Sequence, residues 1–180
     1  MSTMARIFAI AASGFFAVAS FQPAQAETTD AYSFTPERHC LFLVEGISSG
    51  EEESRILSYE CHTDKDSARQ AQQASSGTHL MTWYSGQNFQ GSSYRIQGTS
   101  GPCDRSGYGF SNVGSVWNNR ISSFKTYNRC NSVSGYDGFN YARDIYVCVA
   151  CGSSSGYSEP YVGNVANNRI SSLKMWNNWH

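Results

Sequence analysis

The stretch Val113–Lys125 reads VGSVWNNRISSFK, and Val162–Lys174 reads VGNVANNRISSLK. The two copies begin 49 residues apart, agree at ten of thirteen positions and share the hexapeptide Asn-Asn-Arg-Ile-Ser-Ser. A repeat at this period indicates one structural unit that is used twice. We therefore expect the rest of the chain to bring the two copies side by side.

Each copy has the composition of a turn that leads into a strand. β-branched and aromatic residues in near-alternation flank the double Asn, as in β-strands. Asn tolerates the left-handed backbone conformation and its side chain bonds to nearby backbone groups, so Asn118-Asn119 suits a tight turn. The pattern predicts a strand from Ile121 onward, and the second copy predicts the same from Ile170.

The overall composition favours short strands and tight turns. Aromatic residues make up 14% of the 180 residues, charged residues only 15%, and there are 16 glycines. Such a profile is typical of β folds rather than helical bundles. The formal net charge of −1 gives no electrostatic case for nucleic-acid binding, and it is unfavourable for an antimicrobial or cell-surface role.

Residues 1–26 have the features of a secretion signal. Arg6 is their only charged residue, an apolar run follows at Ile7–Ala19, and Ala24-Gln25-Ala26 has the small-x-small pattern of a cleavage site. We predict a mature chain that begins at Glu27 and is secreted to an extracellular or periplasmic space. The apolar run is short for a bilayer span, which makes a membrane anchor the less favoured alternative.

All six cysteines follow the predicted cleavage site. An even number in an exported chain indicates disulfides, and six cysteines allow fifteen pairings. We prefer the pairing in which each disulfide closes a local loop: Cys40–Cys61, Cys103–Cys130 and Cys148–Cys151. The alternative for Cys148-Val-Ala-Cys151 is a redox or zinc pair, which the absence of a second CxxC or a nearby His pair disfavours.

Residues 27–78 predict a polar leader and a small β-β-α extension. The predicted elements are two strands and a helix: Cys40–Val44, Ile56–Cys61 and Asp64–Ala74. Thr63 and Asp66 have the spacing of a capping box at the start of that helix. Because a unit of this size is marginal alone, we expect it to pack on the following chain or to depend on a Cys40–Cys61 disulfide.

Residues 79–180 predict two four-stranded units, at about 79–130 and 131–180. In the first unit, His79–Tyr84 and Phe89–Ile96 form a hairpin around the turn Ser85–Asn88. The second unit has predicted strands at Ser134–Phe139, Ile145–Val149 and Ile170–Trp176. Four antiparallel strands with a long return connection make a Greek key, and two keys pack as a sandwich.

Two motifs in this region resemble a known family. The spacing Tyr84-x4-Phe89-x-Gly91 resembles the aromatic hairpin signature of βγ-crystallin Greek keys. The hexapeptides Asn118–Ser123 and Asn167–Ser172 resemble that family's calcium motif. The resemblance covers a little over half of the chain. It implies an all-β main domain, a βγ-crystallin-like sandwich of two Greek keys, with the β-β-α extension at its N-terminal side.

The whole-chain plan is also similar to a more specific group. Secreted βγ-crystallin-like chains with cysteines and an N-terminal extension resemble the microbial peptidase-inhibitor family that includes secreted metalloproteinase inhibitors. The resemblance implies a rigid loop that blocks an extracellular protease, with Gly98–Phe110 and Gly152–Gly156 as candidate loops beside cysteines. The loop residues identify no target protease.

The second key departs from the hairpin signature. Aligning Phe139 with Phe89 puts Tyr141 at the position of Gly91, and a glycine there lets the hairpin fold back onto the sheet. Ser134 then stands where Tyr84 does, so we expect a differently bent second hairpin. Both hexapeptides also begin with Asn-Asn and contain no Asp.

The resemblance implies two calcium sites formed by ligand exchange between the loops. Calcium takes six to eight oxygen ligands, and one loop offers about half of that number. The implied ligands are two Asn and one Ser from each loop and one residue from each opposite hairpin: Asn118, Asn119, Ser122, Asn167, Asn168, Ser171, Gln87 and Asp137. Neutral ligands predict weak binding, at about 10⁻⁴–10⁻³ M. The alternative is that these side chains only shape and hydrogen-bond the loops.

The sequence argues against an enzyme. It has no Gly-x-Ser-x-Gly, HExxH or P-loop motif, and its four histidines have no metal-ligand spacing: His39, His62, His79 and His180. We therefore expect a secreted, monomeric, non-enzymatic module that binds calcium weakly, with neither a nucleic-acid partner nor membrane insertion. The alternative is the secreted peptidase inhibitor.

Overall fold

The computed structural model of the protein describes residues 36–178. The predicted signal peptide, most of the predicted leader and residues 179–180 lie outside this range. Within it the chain forms ten strands and two short helices, with these bounds: β1 (His39–Val44), β2 (Ile56–His62), α1 (Lys65–Ala74), β3 (Thr78–Tyr84), β4 (Ser93–Gly98), β5 (Tyr108–Phe110), β6 (Ser123–Thr126), β7 (Ser132–Tyr136), β8 (Asp144–Cys148), β9 (Ser158–Glu159), α2 (Gly163–Ala166) and β10 (Ser172–Trp176).

The strands form two sheets, with the orders β2-β1-β4-β3-β6-β9 and β5-β10-β7-β8. Strands β3–β6 make one Greek key and strands β7–β10 make the other. The keys exchange their third strands, because β5 pairs with β10 of the second sheet and β9 pairs with β6 of the first. This is an all-β, βγ-crystallin-like sandwich, and the predicted fold class is confirmed.

Apolar side chains from both keys fill the space between the sheets. Trp83 and Phe124 of the first sheet are fully buried, as are Leu173 and Met175 of the second. In β10 the intervening Lys174 is only partly buried, which is the period-two alternation of a strand with one core face. Burying each large apolar side chain contributes roughly 1.5–3 kcal/mol, so the core is the main source of stability.

The N-terminal β-β-α segment belongs to the first sheet. β1 runs parallel to β4 and antiparallel to β2, so it joins the outer strand to the first key. The Phe42 ring packs edge-on against Tyr94 with 4.2 Å between centroids, and Tyr94 stacks on Trp117 at 5.2 Å. These rings make the aromatic core continuous from the extension into the first key.

The helix of the extension is confirmed, but its cap differs from the predicted capping box. α1 begins after Asp64, whose Oδ1 accepts hydrogen bonds from the backbone N–H groups of Asp66 and Ser67 at 2.9 and 3.2 Å. Asp64 therefore takes the capping role predicted for Thr63. These bonds to the charged form lower the pKa of the Asp64 carboxyl, with the Ser67 contacts as the largest cause.

The connection between β1 and β2 covers an edge of the second sheet. The Ser54 N–H donates to the Gly109 carbonyl at 2.8 Å, and the Gly109 N–H donates to Ser54 Oγ at 3.2 Å. The Ile47 N–H bonds to the Gly107 carbonyl in the same way, at 3.2 Å. The connection thus satisfies backbone groups along β5, which protects an otherwise open strand edge.

Three disulfides join the six cysteines in the predicted pairing: Cys40–Cys61, Cys103–Cys130 and Cys148–Cys151. The first joins β1 to β2 across the extension. A set of three disulfides indicates an oxidising compartment, such as the extracellular space. Neither helix in residues 36–178 is long and apolar enough to cross a bilayer.

Candidate metal centre

The two repeated loops have the same local structure. In each, the first Asn N–H of the hexapeptide bonds back to a glycine carbonyl, Asn118 to Gly114 and Asn167 to Gly163, both at 2.9 Å. The second Asn then takes the left-handed conformation, with φ of 60° at Asn119 and 56° at Asn168. Asn tolerates this conformation better than most side chains, so the Asn-Asn pair ends the turn where the chain enters a strand.

The structure brings the two loops side by side. The Asn119 N–H donates to the Ile170 carbonyl of the other loop, and the Asn168 N–H donates to the Ile121 carbonyl, each at 3.1 Å. Ile121 and Ile170 occupy the same position in the two hexapeptides, and both are fully buried. The pair of loops is therefore held by the core and by reciprocal backbone bonds.

Side-chain oxygens also cross between the loops. Ser122 Oγ of the first loop lies 3.2 Å from Asn168 Oδ1 of the second, and Ser171 Oγ lies 3.3 Å from Asn119 Oδ1. Ser122 Oγ is also 3.0 Å from the Ser85 carbonyl oxygen. A hydroxyl has one proton, so it cannot satisfy both acceptors at once. The first cluster therefore has more oxygen lone pairs than protons.

The first Asn of each hexapeptide contributes a further oxygen. Asn118 Oδ1 and Asn167 Oδ1 are both buried, and neither has a hydrogen-bond partner among the described residues. Unsatisfied buried acceptors are uncommon in proteins and indicate a water molecule or a cation. Both copies of the repeat leave the same atom unsatisfied, so an isolated packing defect is a poor explanation.

The hairpins show which residues are equivalent in the two keys. Ser123 Oγ donates to the Gly86 carbonyl and accepts from the Phe89 N–H. Ser172 Oγ makes the same pair of bonds to Gly138 and Tyr141. The last Ser of each hexapeptide thus fastens a hairpin, and Tyr141 is the counterpart of Phe89.

The predicted alignment of the second hairpin is therefore wrong. Tyr136 and Tyr141 form an edge-to-face pair at 5.5 Å, which matches the pair of Tyr84 and Phe89 at 5.7 Å. The second signature is Tyr136-x4-Tyr141-x-Arg143, with Arg143 at a positive φ of 61° where Gly91 has 79°. Phe139, which the alignment used, is 48% exposed. The second hairpin is bent like the first, not differently.

This equivalence reassigns the two hairpin residues among the predicted ligands. Asp137 corresponds to Ser85, and Gln87 corresponds to Phe139. Gln87 is exposed in the turn Gln87–Phe89, and the hairpin oxygen that lies beside the first loop is the Ser85 carbonyl. Aligning the hairpins on their Tyr residues would have revealed Ser85 from sequence.

The Asp137 carboxylate lies at the second key but is engaged by arginines. Its Oδ2 is 2.7 Å from Arg169 Nη2 and 3.5 Å from Arg143 Nη2. In residues 36–178 no three His, Cys, Asp or Glu side chains gather as a metal site. The donors at the loops are amide, hydroxyl and carbonyl oxygens, a set that suits calcium rather than zinc or copper.

The described histidines lie outside these loops. His79 Nε2 is 2.8 Å from Thr82 Oγ1, and its ring stacks on Tyr127 with 3.9 Å between centroids. Burial, and then the Arg95 charge, lower the pKa of His79 to about 3. Burial also lowers the pKa of His39. Their burial and contacts are those of histidines that pack within the fold. His180 lies outside the described residues.

The low pKa of His79 predicts a loss of stability in mild acid. Its pKa is about 6.5 in an unfolded chain and about 3 when folded, so between these values only the unfolded chain binds the proton. The stabilising effect is complete above pH 6.5 and declines toward pH 3. Between pH 6.5 and 4.5 we expect wild type to lose about 2 kcal/mol relative to His79→Gln, measured by urea unfolding. Parallel pH profiles for the two proteins would contradict this.

No protein-family model matches the chain, and no curated protein is significantly similar to it. Among solved structures, a βγ-crystallin domain from Clostridium beijerinckii is 20% identical with a TM-score of 0.38, and the match covers 54% of this chain and 97% of that one. A βγ-crystallin from an archaeon has the same identity, TM-score and coverage of this chain, and 98% of its own length is covered.

A third solved structure, a βγ-crystallin domain from Flavobacterium johnsoniae, is 19% identical with a TM-score of 0.38. That match covers 56% of this chain and 98% of the other. The similarities are weak, and we draw no functional conclusion from them. The class of fold follows from the strand order and the exchanged third strands: a two-key sandwich of the βγ-crystallin type.

Proposed function

We propose that the chain is a secreted, non-enzymatic module that binds calcium weakly between its two Asn-Asn loops. The main support is the reciprocal arrangement of oxygens, Ser122 with Asn168 and Ser171 with Asn119. A cation between these atoms would relieve the crowding of lone pairs. The unpaired Asn118 and Asn167 oxygens would then gain a partner.

The proposed ligands fall into two sets. The first site would use Ser122, Asn168 and the Ser85 carbonyl, and the second would use Ser171 and Asn119. Asn118 and Asn167 supply the remaining amide oxygens, and water would complete each shell, since calcium takes six to eight oxygens. Each site then takes its side chains from both loops, so neither loop binds alone.

The charges predict low affinity. Calcium affinity rises with the number of carboxylate ligands, and here the side-chain donors are neutral. The nearest carboxylate identified at the loops is Asp137, and Arg169 and Arg143 hold it. Dissociation constants of about 10⁻⁴–10⁻³ M, as in extracellular calcium modules, are therefore expected. Such sites would be filled where calcium is millimolar.

A calcium titration followed by thermal unfolding tests this proposal. Binding to the folded state only raises the free energy of unfolding by about 2.7 kcal/mol per site when calcium is at 100 times its dissociation constant. We expect the melting temperature to rise with calcium and to change less with magnesium, which demands stricter geometry. The Ser122→Ala/Ser171→Ala variant is expected to lose the increase. If calcium gives neither a thermal shift nor heat in calorimetry, the loops are purely structural.

The peptidase-inhibitor alternative stays a prediction from the sequence. No comparison supports that function. Assays against a panel of secreted metallo- and serine proteases would test it. Inhibition that is lost when the disulfides are reduced would favour the inhibitor over the calcium module.

A further inference from the structure

The two keys differ in one charged contact that the repeat would otherwise preserve. In the second key, Arg169 of the hexapeptide donates to the Asp137 carboxylate at 2.7 Å. Arg143 supports the same carboxylate from the hairpin, at 3.5 Å. Two guanidinium groups thus hold one carboxylate that the chain itself supplies.

The first key keeps the arginine and lacks the carboxylate. Arg120 occupies the hexapeptide position of Arg169, while Ser85 stands in place of Asp137 and Gly91 in place of Arg143. Among residues 36–178, no carboxylate lies within 4 Å of the Arg120 guanidinium. The hairpin and hexapeptide of the first key thus supply no negative charge at the equivalent place.

A cleft is present at this place. It has a volume of about 440 Å³, and its lining includes Arg120, Ser85 and Gly91 from the first key. The extension adds Arg38 to the same lining, so a second arginine is again present, although from a different part of the chain. Its backbone N–H donates to Ser92 Oγ at 2.9 Å, which fixes this residue beside the first hairpin. The apolar part of the lining is the half-buried Val116 and the edge of the buried Trp117.

Among the described residues that line the cleft, the one carboxylate is Glu37, and it lies near two side chains outside the lining. Glu37 Oε2 lies 3.9 Å from both Lys65 Nζ and His39 Nε2. The two cleft arginines therefore outnumber the single lining carboxylate, and that carboxylate has partners outside the arginine pair. A carboxylate that enters from solvent would meet a net positive charge and donors with fork geometry.

We propose that this cleft binds a carboxylate ligand of low molecular mass. The carboxylate lies between Arg120 and Arg38, in the place that Asp137 occupies in the second key, and the carbon part of the ligand packs on Val116 beside Trp117. Arginine favours this role because its planar fork matches both carboxylate oxygens. The site does not require calcium, so it is independent of the proposed metal function.

The test is an NMR titration of the protein in EDTA with N-acetyl-aspartate, and with its diamide, N-acetyl-asparagine amide, as the neutral match. We expect N-acetyl-aspartate to shift the Trp117 indole and Arg120 side-chain signals and to saturate in the millimolar range. N-acetyl-asparagine amide, which has no carboxylate, should bind at least about tenfold more weakly, because charge-assisted hydrogen bonds are roughly twice as strong as neutral ones.

Three variants sharpen the test. Arg120→Gln removes an exposed charge and should weaken N-acetyl-aspartate binding about tenfold or more. Ser85→Asp supplies an internal carboxylate, as in the second key, and should compete with the ligand. Arg169→Gln changes the equivalent arginine of the second key and should leave binding unchanged. Equal binding of the acid and the amide, unchanged binding by Arg120→Gln, or a requirement for calcium would each overturn the proposal.

Discussion

Replacing Phe42 with alanine is expected to lower the free energy of unfolding by about 3–5 kcal/mol. Phe42 lies in β1 of the extension and is 7% exposed. Its ring contacts Tyr94 of the first key at 4.2 Å between centroids and lies 6.4 Å from Phe110 of β5. Truncation would leave a cavity where the extension meets both sheets. Urea unfolding followed by tryptophan fluorescence measures the change, because Trp83 and Trp117 lie in the same aromatic cluster.

The matched control for this prediction is Leu57→Ala in the neighbouring strand β2. Leu57 is 41% exposed, so its truncation should cost no more than about 1 kcal/mol. Both variants are expected to unfold in a single transition, because the extension and the keys share one sheet. If Phe42→Ala costs no more than the control, or if the extension unfolds in a separate earlier step, the extension is not part of the core.

The fold was predictable because the sequence repeats its loop and strand. Ile121 and Ile170 recur 49 residues apart with the same polar neighbours. A buried residue at each copy fixes two equivalent strands against one core, which is what two Greek keys require. The disulfides followed from locality: each cysteine bonds to its neighbour in sequence.

The alignment of the second hairpin was not predictable from the hairpin signature, because Arg143 stands where the first hairpin has Gly91. Arg143 stands in the left-handed conformation, which costs a non-glycine residue of order 1 kcal/mol or more. The cost is offset locally, because the Arg143 carbonyl accepts the Asp137 N–H at 3.0 Å and its guanidinium reaches the Asp137 carboxylate. Neither alignment of the second hairpin places a glycine at this position, so the match of Phe139 to Phe89 was chosen although it is wrong.

Local sequence patterns also did not predict where the N-terminal extension attaches to the two sheets. The apolar run Cys40–Val44 predicts a strand but not its partner. The strand pairs in parallel with β4, more than 50 residues away, and Ser54 bonds to β5 of the other sheet. Such pairings depend on shape and exposed edges in the folded chain, and the sequence carries no short-range signal for them.

The sequence predicted that the two hexapeptide loops meet at the candidate site. It did not predict which hairpin groups lie beside them. Of the six Asn and Ser residues that the resemblance implied as ligands, four bring their oxygens together across the two loops: Ser122, Asn168, Ser171 and Asn119. The Ser85 carbonyl and the Arg169–Asp137 pair were missed. Both become visible only once the two hairpins are aligned on Tyr84 and Tyr136, because that alignment pairs Ser85 with Asp137.

Ligand exchange between the loops predicts a large and specific effect on calcium affinity. Ser122→Ala and Asn168→Gly each remove one proposed ligand of the first site, and glycine keeps the left-handed backbone at position 168. Each change should weaken calcium binding by at least about tenfold, the lower limit for disturbing even an outer contact of a metal site. Because both act on one site, the double variant should be little worse than either single variant.

The most direct test of ligand exchange is this double-mutant cycle, measured by calorimetric calcium titration. We predict strong coupling between Ser122 and Asn168, which lie on different loops. The control cycle pairs Ser122→Ala with Asn119→Gly on the same loop, and we predict additive losses there because the two residues serve different sites. Coupling within one loop, with additivity across the two loops, would contradict the account.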